Sequence, residues 1–296
     1  MSKKYCCILI FLLITNQLLA QNIAVLKQEI ENIISGKKAT VGVSILSIEN
    51  GDALAINGDD RFAMMSIFKF HIALAVLKKV DEGELSLHEK IFIKRNELLD
   101  TWSPIKEKYP NGNVSLTLGE ILEYTVSHSD NNGCDILLRL IGGTQAVQKF
   151  INSIGIKDFT IKYNEEQMAK WENAKVNTTT PQAMVKLLTL FYDCKILSKD
   201  NTKYLYGLME ANSRGAALIR GGLPANTKVA HRTGMSGNNN GVQMALNNAG
   251  IVTLPDGKHF AIAVFVNNST ERQEITENII AGIAKAAWNY FTTKAQ

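Results

Sequence analysis

The sequence predicts an α/β fold of two lobes, one built on an antiparallel sheet flanked by helices and the other entirely helical. Strand patterns occur near both ends of the chain, and residues 61–211 between them carry almost only helical patterns. A mature chain of about 275 residues is also long for one small core. We therefore expect residues 21–60 and 212–296 to form the α/β lobe and residues 61–211 to form the helical lobe.

Residues 1–20 have the pattern of a signal peptide. Lys3 and Lys4 precede a short apolar run, and small residues follow it up to Ala20. The run is too short for a transmembrane helix, and no cysteine stands at the cleavage point to accept a lipid. The pattern predicts export to the periplasm with no stable membrane association after cleavage. An uncleaved membrane anchor is the alternative.

The α/β lobe is predicted from both ends of the chain. An amphipathic helix over residues 23–34 precedes a strand over residues 40–48, and a turn at Asn50-Gly51 leads to a return strand over residues 53–57. The remaining predicted elements are strands over residues 228–232, 244–254 and 260–266 and a helix over residues 274–291.

Ser66 and Lys69 place a hydroxyl and an amine one helical turn apart. Residues 67–77 are apolar almost all round, which predicts a helix buried in the core. A buried amine must be paired or give up its proton, and it can then serve as a base beside a nucleophile. The same spacing follows Ser35 and Ser103 without this context, and an ordinary lysine whose amine reaches water is the simpler interpretation there.

Ser129 and Asn131 lie in a predicted short connection between two apolar helices. The first helix begins with a capping box formed by Thr117 and Glu120, and the second ends at Gly142. Short polar side chains in such a connection can point into a cavity. Ordinary helix capping is the alternative use of these residues.

Arg232, Thr233 and Gly234 follow the strand pattern of residues 228–232. A strand edge offers N–H groups, and the arginine adds a cation whose planar fork suits a carboxylate. A strand that simply ends at Thr-Gly, with the arginine on the surface, is the alternative interpretation.

In this chain order the three motifs resemble those of the penicillin-recognising serine enzymes, and most closely those of the class A serine β-lactamases. The resemblance covers nearly the whole mature chain and is nearest to the Bacteroides-type branch, which is similar to extended-spectrum and cephalosporin-hydrolysing members. It implies the two-lobed fold shared with penicillin-binding proteins. It also implies that β-lactam antibiotics, cephalosporins above all, are hydrolysed through a serine acyl-enzyme, which confers resistance.

The resemblance assigns catalytic roles to three of the motif residues. Ser66 would be the acylated nucleophile and Lys69 its neighbouring base. Ser129 would pass a proton to the β-lactam nitrogen.

The substrate-binding residues implied in the same way are Asn131, Arg232, Thr233, Gly234 and Met235. Asn131 would hold the side-chain amide of the substrate, and Arg232 with Thr233 would hold its carboxylate. The backbone N–H groups of Ser66 and Met235 would form the oxyanion hole, which is worth roughly 10²–10³ in rate per donor.

Hydrolysis also needs a carboxylate that activates water against the acyl-enzyme. The family supplies it as a loop glutamate with Leu three residues later and Asn four residues later. If Met168 fills the Leu position, Glu165 is this carboxylate, and Glu166 is the alternative. Ala169 replaces the Asn that helps to hold the water, and Asn177 stands where many relatives have an Asp that pins the loop. We therefore expect a loop that is organised differently from theirs.

Composition argues against other classes of function. The net charge of +4 is mild and not clustered, which gives no support to nucleic-acid binding. Histidines and cysteines are scattered, so neither a metal site nor a cofactor is expected. Cys134 and Cys194 remain after cleavage and are expected to be free thiols. The expected partners are small-molecule β-lactams, and the chain is expected to act as a monomer.

Two alternative functions share the acylation residues. One is a D-alanyl-D-alanine carboxypeptidase or transpeptidase, and the other is a periplasmic sensor of β-lactams or peptidoglycan. Both predict a stable covalent adduct, because without a working loop carboxylate the penicilloyl enzyme would persist.

Overall fold

A computed structural model describes residues 23–294, so the predicted signal peptide lies outside the described residues. The helices are α1 (residues 23–34), α2 (Phe68–Asp81), α3 (Pro104–Lys108), α4 (Leu118–Ser127), α5 (Asn131–Ile141), α6 (Gly143–Ser153), α7 (Glu165–Met168), α8 (Trp171–Ala174), α9 (Pro181–Tyr192), α10 (Lys199–Glu210) and α11 (Gln273–Lys294). The strands are β1 (Thr40–Ser47), β2 (Ala53–Ile56), β3 (Phe62–Ala63), β4 (Lys90–Ile93), β5 (Val114–Thr117), β6 (Phe159–Thr160), β7 (Thr178–Thr179), β8 (Val229–Met235), β9 (Asn238–Asn239), β10 (Val242–Thr253) and β11 (His259–Ser269).

The main sheet is antiparallel and has the strand order β2-β1-β11-β10-β8, with β9 paired to β10. Its strands come from both ends of the chain, as the sequence predicts. Because side chains alternate along a strand, β11 faces two cores. Ile262 and Val264 pack in the core that includes α11, whereas Ala263 and Phe265 pack against the helical core. The two-lobed α/β fold is therefore confirmed, while the exact boundaries at residues 60 and 211 stay a prediction.

Helix α2 lies at the centre of the helical lobe. All of its residues from Phe68 to Leu77 are buried, which confirms the helix predicted from the apolar segment. Helices α4, α5 and α6 pack against it. The amine of Lys69 consequently belongs to the interior of the protein rather than to its surface.

Two small sheets lie in the region whose patterns are almost all helical. Strand β4 pairs with β5, and β7 pairs with both β3 and β6. These strands are two to four residues long. Such lengths are too short to establish a period-two pattern, so the sequence did not reveal them. Strand β8 also extends to Met235, three residues beyond the predicted strand end, because residues 233–235 pair with β10.

Local capping signals fix several of the helix ends. Glu120 N donates to Thr117 Oγ1 (3.2 Å) and Thr117 N donates to Glu120 Oε2 (2.7 Å), which confirms the predicted capping box. Thr180 accepts from Ala183 N at the start of α9. Gly142, with φ at 93°, ends α5 in the left-handed conformation. None of the helices between residues 23 and 294 is both long and apolar enough to cross a membrane.

Candidate active site

Ser66 lies on a single 3₁₀ turn, Met65–Ile67, that leads into α2. It lines a cleft of about 640 Å³. Met65 has a φ of 47°, a left-handed conformation that a side chain rarely adopts and that such sites often hold under strain. Strand β8 passes close behind the turn. A Cβ on Gly234 would lie 2.2 Å from Met64 O, so only glycine allows this approach.

Lys69 has no exposed surface, and its amine lies at the centre of the polar network. Its Nζ donates to Asn131 Oδ1 (2.6 Å), to Ser129 O (2.8 Å) and more weakly to Ser129 Oγ (3.4 Å). Glu165 Oε1 is 2.9 Å from Nζ without the alignment of a hydrogen bond. The three N–H groups of the Lys69 amine point at the first three acceptors. Glu165 therefore contacts Nζ as a close ion pair without a hydrogen bond. Lys69 therefore connects the residues that the sequence singled out on three separate segments.

Ser129 connects α4 to α5 with a φ of 61°, again in the left-handed region. The next residue, Asp130, accepts from Gly133 N (2.8 Å) and from Ile105 N (2.7 Å). Desolvation raises the pKa of Asp130, and these hydrogen bonds oppose the rise. Capping, the alternative use considered for this segment, is thus carried out by Asp130, while the Ser129 side chain is left to face the cleft.

The guanidinium of Arg232 is fully buried behind the turn that carries Ser66. Its Nη2 donates to Ser66 O (3.1 Å) and Ser129 Oγ (3.1 Å), and its Nη1 donates to Val126 O. Desolvation lowers the pKa of Arg232 to about 10, so it remains a cation at neutral pH. The surface position considered for this arginine is therefore wrong. The neighbouring Thr233 lines the cleft.

Met235 ends the edge strand of the main sheet, where it lines the cleft and is 46% exposed. Because β8 pairs with β10 on one side only, its alternate N–H groups point away from the sheet. The structure thus brings Met235, Thr233 and Ser66 to one cleft, as the motifs predict.

Glu165 and Glu166 differ sharply in their surroundings. Glu165 lines the cleft with a side chain that is 10% exposed, whereas Glu166 is exposed. Both belong to α7, a one-turn helix that Asn164 and Gln167 cap reciprocally. Only Glu165 is in contact with Lys69.

Asp135 holds this turn in place and was not predicted from the sequence. Its Oδ1 accepts from Glu165 N (2.8 Å) and its Oδ2 from Glu166 N (3.0 Å). Desolvation raises the pKa of Asp135 to about 6, since the two N–H donors only partly offset its burial. Its position four residues after Asn131 on α5 is a signal that could have placed it on the face of the site.

Asn177 anchors the other end of the Glu165 loop. Its Oδ1 accepts from Lys162 N (2.8 Å) and Tyr163 N (3.1 Å), and its Nδ2 donates to Tyr163 O (2.7 Å) and contacts Met168 Sδ (3.0 Å). A neutral amide therefore holds the loop by bonding as both acceptor and donor. Ala169 lines the cleft but offers no polar side chain for a water molecule.

Trp102 and Arg214 also line the cleft and were not predicted from the sequence. They lie at its rim, on the segments that precede α3 and β8. Cys134 is buried on α5 and Cys194 is partly buried, and both are free thiols in the described part of the chain.

Comparisons with known proteins agree with this arrangement. A protein-family model described as "Beta-lactamase enzyme family" matches residues 25–291. The chain is 50% identical over 270 residues to Beta-lactamase VEB-1 of Pseudomonas aeruginosa, with 90% of each chain covered. It is 38% identical over 284 residues to a Beta-lactamase of Bacteroides uniformis, with 95% of this chain and 96% of the relative covered.

Solved structures give the same result. The crystal structure of TLA-1 extended spectrum Beta-lactamase matches with a TM-score of 0.89 at 49% identity, covering 90% of this chain and 98% of that one. A class A beta-lactamase from Bacteroides cellulosilyticus DSM 14838 matches with a TM-score of 0.87 at 36% identity, covering 90% and 97% respectively.

Proposed function

The chain belongs to the beta-lactamase enzyme family as a class A serine β-lactamase of the Bacteroides-type branch, and from this membership we propose how its residues hydrolyse their substrates. Hydrolysis of β-lactams and antibiotic resistance follow from the family itself. The proposal concerns the serine acyl-enzyme, the role of each residue and the preferred substrates. The observation that carries it is the position of Lys69 Nζ, within hydrogen-bond or ion-pair distance of Ser129, Asn131 and Glu165.

Acylation begins when Ser66 Oγ attacks the β-lactam carbonyl carbon. The hydroxyl proton leaves to the Lys69–Glu165 pair, whose close contact lets a proton move between amine and carboxylate. Ser129 then gives its hydroxyl proton to the lactam nitrogen as the C–N bond breaks. The Lys69–Glu165 pair returns the proton taken from Ser66 to Ser129 Oγ, which lies 3.4 Å from Lys69 Nζ, so that Glu165 is again a carboxylate. Arg232 Nη2 stabilises the charge that develops on Ser129 Oγ, because it donates to that oxygen from 3.1 Å.

Deacylation requires a water molecule to attack the ester carbonyl, and Glu165 takes its proton. As the ester C–O bond to Ser66 breaks, that proton returns to Ser66 Oγ and the free enzyme is restored. Support comes from its place in the cleft and its contact with Lys69, which Glu166 lacks. Asp135 holds the backbone of both glutamates and so fixes the direction in which Glu165 points.

Substrate binding uses the opposite wall of the cleft. The N–H groups of Ser66 and Met235 receive the oxyanion, and Thr233 contacts the substrate carboxylate. Arg232, which the motif assigns to the same carboxylate, is bonded to Val126 O and Ser66 O and therefore contributes its positive charge from behind the strand, while Gly234 lets the strand lie close to Met64. Asn131 holds the side-chain amide of the substrate through its amide group, which already bonds Lys69 and Thr101.

Cephalosporins are the preferred substrates in this proposal, by the resemblance of the branch and the extended-spectrum description of TLA-1. The enzyme acts as a monomer in the periplasm after the leader is removed. Export to the periplasm follows from the sequence pattern of the leader. The monomeric state is supported by the cleft, because a single chain supplies all of the residues assigned to the site.

The test is the full time course of a chromogenic cephalosporin mixed with a small amount of purified mature protein. Continued turnover far beyond one equivalent supports the proposal. A burst of one equivalent that then stops would instead indicate a penicillin-binding enzyme or a sensor, and Glu165 would lose its role. Parallel measurement of kcat/KM for a penicillin tests the preference, which fails if the penicillin is hydrolysed more efficiently.

A further inference from the structure

Two side chains from different parts of the fold meet across the rim of the cleft. The guanidinium carbon of Arg214 lies 4.4 Å from the centroid of the Trp102 ring, a cation–π contact. Trp102 belongs to the segment before α3, and Arg214 to the segment that leads into β8. Both line the same cleft as Ser66 and Thr233.

Both partners are held in position by neighbouring groups. Trp102 Nε1 donates to His128 O (3.0 Å), which fixes the plane of the indole ring. Arg214 N donates to Asn212 Oδ1 (3.0 Å), so the backbone that carries the guanidinium is also fixed. The cation is consequently presented in one place although its side chain is long.

The segment that carries Arg214 is packed directly on the substrate-binding strand. Gly215 has a φ of 75°, and a Cβ there would lie 2.5 Å from Thr233 Cγ2. Only glycine permits this approach. Arg214 therefore emerges beside Thr233, the residue assigned to the substrate carboxylate.

Two cationic side chains at the site are already bonded to protein groups, and a third is not paired with an acidic residue in the described part of the chain. Lys69 and Arg232 are buried and bonded to protein groups. Arg214 is partly exposed, and no ion pair involves it between residues 23 and 294. The positive charge of Arg214 is close enough to repel that of Arg232. Desolvation is the main cause of the lowered pKa of Arg232, and Arg214 lowers it further.

We propose that Arg214 is a specificity-determining residue that binds the carboxylate of the substrate directly, and that Trp102 is the positioning residue that holds its guanidinium at the rim. The inference rests on the proposed function and extends it. Arg232 supports Ser129 and Ser66 from behind, whereas Arg214 supplies the cation that an incoming anion meets in the cleft. An anionic ligand gains a bidentate partner that a neutral analogue cannot use.

The experiment compares one cephalosporin with its methyl ester, which lacks the carboxylate charge. Removing a charged hydrogen-bond partner in Arg214→Ala should lower kcat/KM for the acid by roughly 10–100-fold, mainly through KM, and change that of the ester little. Arg214→Lys keeps the charge without the planar fork and should lose less. Raising the ionic strength should lower kcat/KM of the wild type more steeply than that of Arg214→Ala.

The role of Trp102 needs a readout that a merely structural residue would not change. Trp102→Ala should raise KM for the acid, Trp102→Phe should largely restore it, and Trp102→Ala should add little in the Arg214→Ala background. Lys258→Ala is the matched control, since it removes one positive charge from the β10–β11 turn at the other end of the sheet.

Equal losses on acid and ester, or no loss in Arg214→Ala, would overturn the inference. A wild type that is acylated once and then stops would overturn the proposed deacylation instead. In that case the acylation rates of acid and ester, followed by intact mass, give the same comparison and still decide whether Arg214 binds the carboxylate.

Discussion

At the scale of single residues, the site depends on a buried cation whose hydrogen bonds are all made inside the protein. Lys69 has no exposed surface, and it is bonded to Ser129 and Asn131 and paired with Glu165. A buried charge that is paired and hydrogen-bonded is tolerated, whereas loss of one partner leaves it costly. This arrangement explains why residues on three segments depend on one amine.

Ser66→Ala should abolish hydrolysis while leaving the fold intact, because it removes only the attacking oxygen. Steady-state rates with a cephalosporin and a thermal melt of each protein provide the measurement. Ser35→Ala, the same change in an exposed Ser-x-x-Lys sequence, is the matched control and should keep full activity. Turnover by Ser66→Ala at a rate near that of the wild type would exclude it as the nucleophile.

Asp135→Asn should change how stability depends on pH. The pKa of Asp135 in the fold is about 6, above its usual value of 3.8, so folding favours the protonated form. Its contribution to stability is therefore present below about pH 4 and is lost as pH rises through about 6. The free energy of unfolding of the wild type minus that of the variant should fall by on the order of 3 kcal/mol over this window.

Denaturant unfolding at a series of pH values measures this difference. Asp200→Asn, at an exposed site, is the control and should give a flat difference. A flat profile for Asp135→Asn as well would contradict the role assigned to its burial.

Residue-scale prediction from sequence succeeded where a motif had its own local context. Ser66 could be separated from Ser35 because apolar residues follow it. Asp135 was missed since its role depends on a loop that comes 30 residues later in the chain, a relation that no local spacing reveals. Arg214 was missed for the same reason, because its partner Trp102 is distant in sequence.

At the scale of elements, the loop that carries Glu165 is a short helix held at two anchors rather than by a core of its own. Asp135 holds one end, and Asn177 holds the other through Lys162 and Tyr163. The stability of such a segment depends on a few hydrogen bonds, so we expect it to open more readily than the helices around α2.

Asn177→Ala should loosen this loop. It leaves the N–H groups of Lys162 and Tyr163 without their acceptor, at a cost of about 1–3 kcal/mol in the free energy of unfolding. Deacylation should slow more than acylation, because the change misplaces Glu165 and leaves Ser66 untouched. Single-turnover kinetics separate the two steps, and Lys175→Ala, at an exposed position of the same loop, is the control.

An Asn177→Ala enzyme in which acylation slows as much as deacylation would count against a specific role in the loop.

Elements with a long periodic pattern were predicted well, and those without one were not. Helix α2 has nine apolar residues among its fourteen, and strands β10 and β11 are 12 and 11 residues long and almost entirely buried. Strands β3, β6 and β7 are each two residues long. They pair because the packing of the larger elements brings these connecting segments side by side. Their pairing is a consequence of the tertiary structure, so sequence periodicity carries no trace of it.

At the scale of the whole molecule, the site lies between the main sheet and the helical lobe. Arg232 extends from β8 to Val126 and Ser129 of the helical lobe, and so connects the sheet to that lobe. Its guanidinium forms directed hydrogen bonds at this junction. The relative position of Ser66 and Ser129 therefore depends on how the lobes pack.

Arg232→Ala should lower both stability and kcat. It leaves Val126 O without its side-chain donor and takes one donor from Ser66 O, and a buried acceptor left unpaired costs about 1–3 kcal/mol. The loss of support for Ser129 should appear in kcat more than in KM, which distinguishes this residue from Arg214. Steady-state kinetics and denaturant melts measure both effects, and Arg272→Ala at an exposed position is the control. A change confined to KM would contradict the supporting role.

In the proposed mechanism, Ser66 carries the acyl group and Glu165 removes it. The most direct test is the intact mass of Glu165→Gln after brief exposure to a cephalosporin, followed by mapping of the modified peptide, with Glu166→Gln treated in parallel. The account predicts a persistent adduct on Ser66 in Glu165→Gln and unmodified protein in Glu166→Gln. An adduct that persists only in Glu166→Gln, or one attached to another residue, would contradict it.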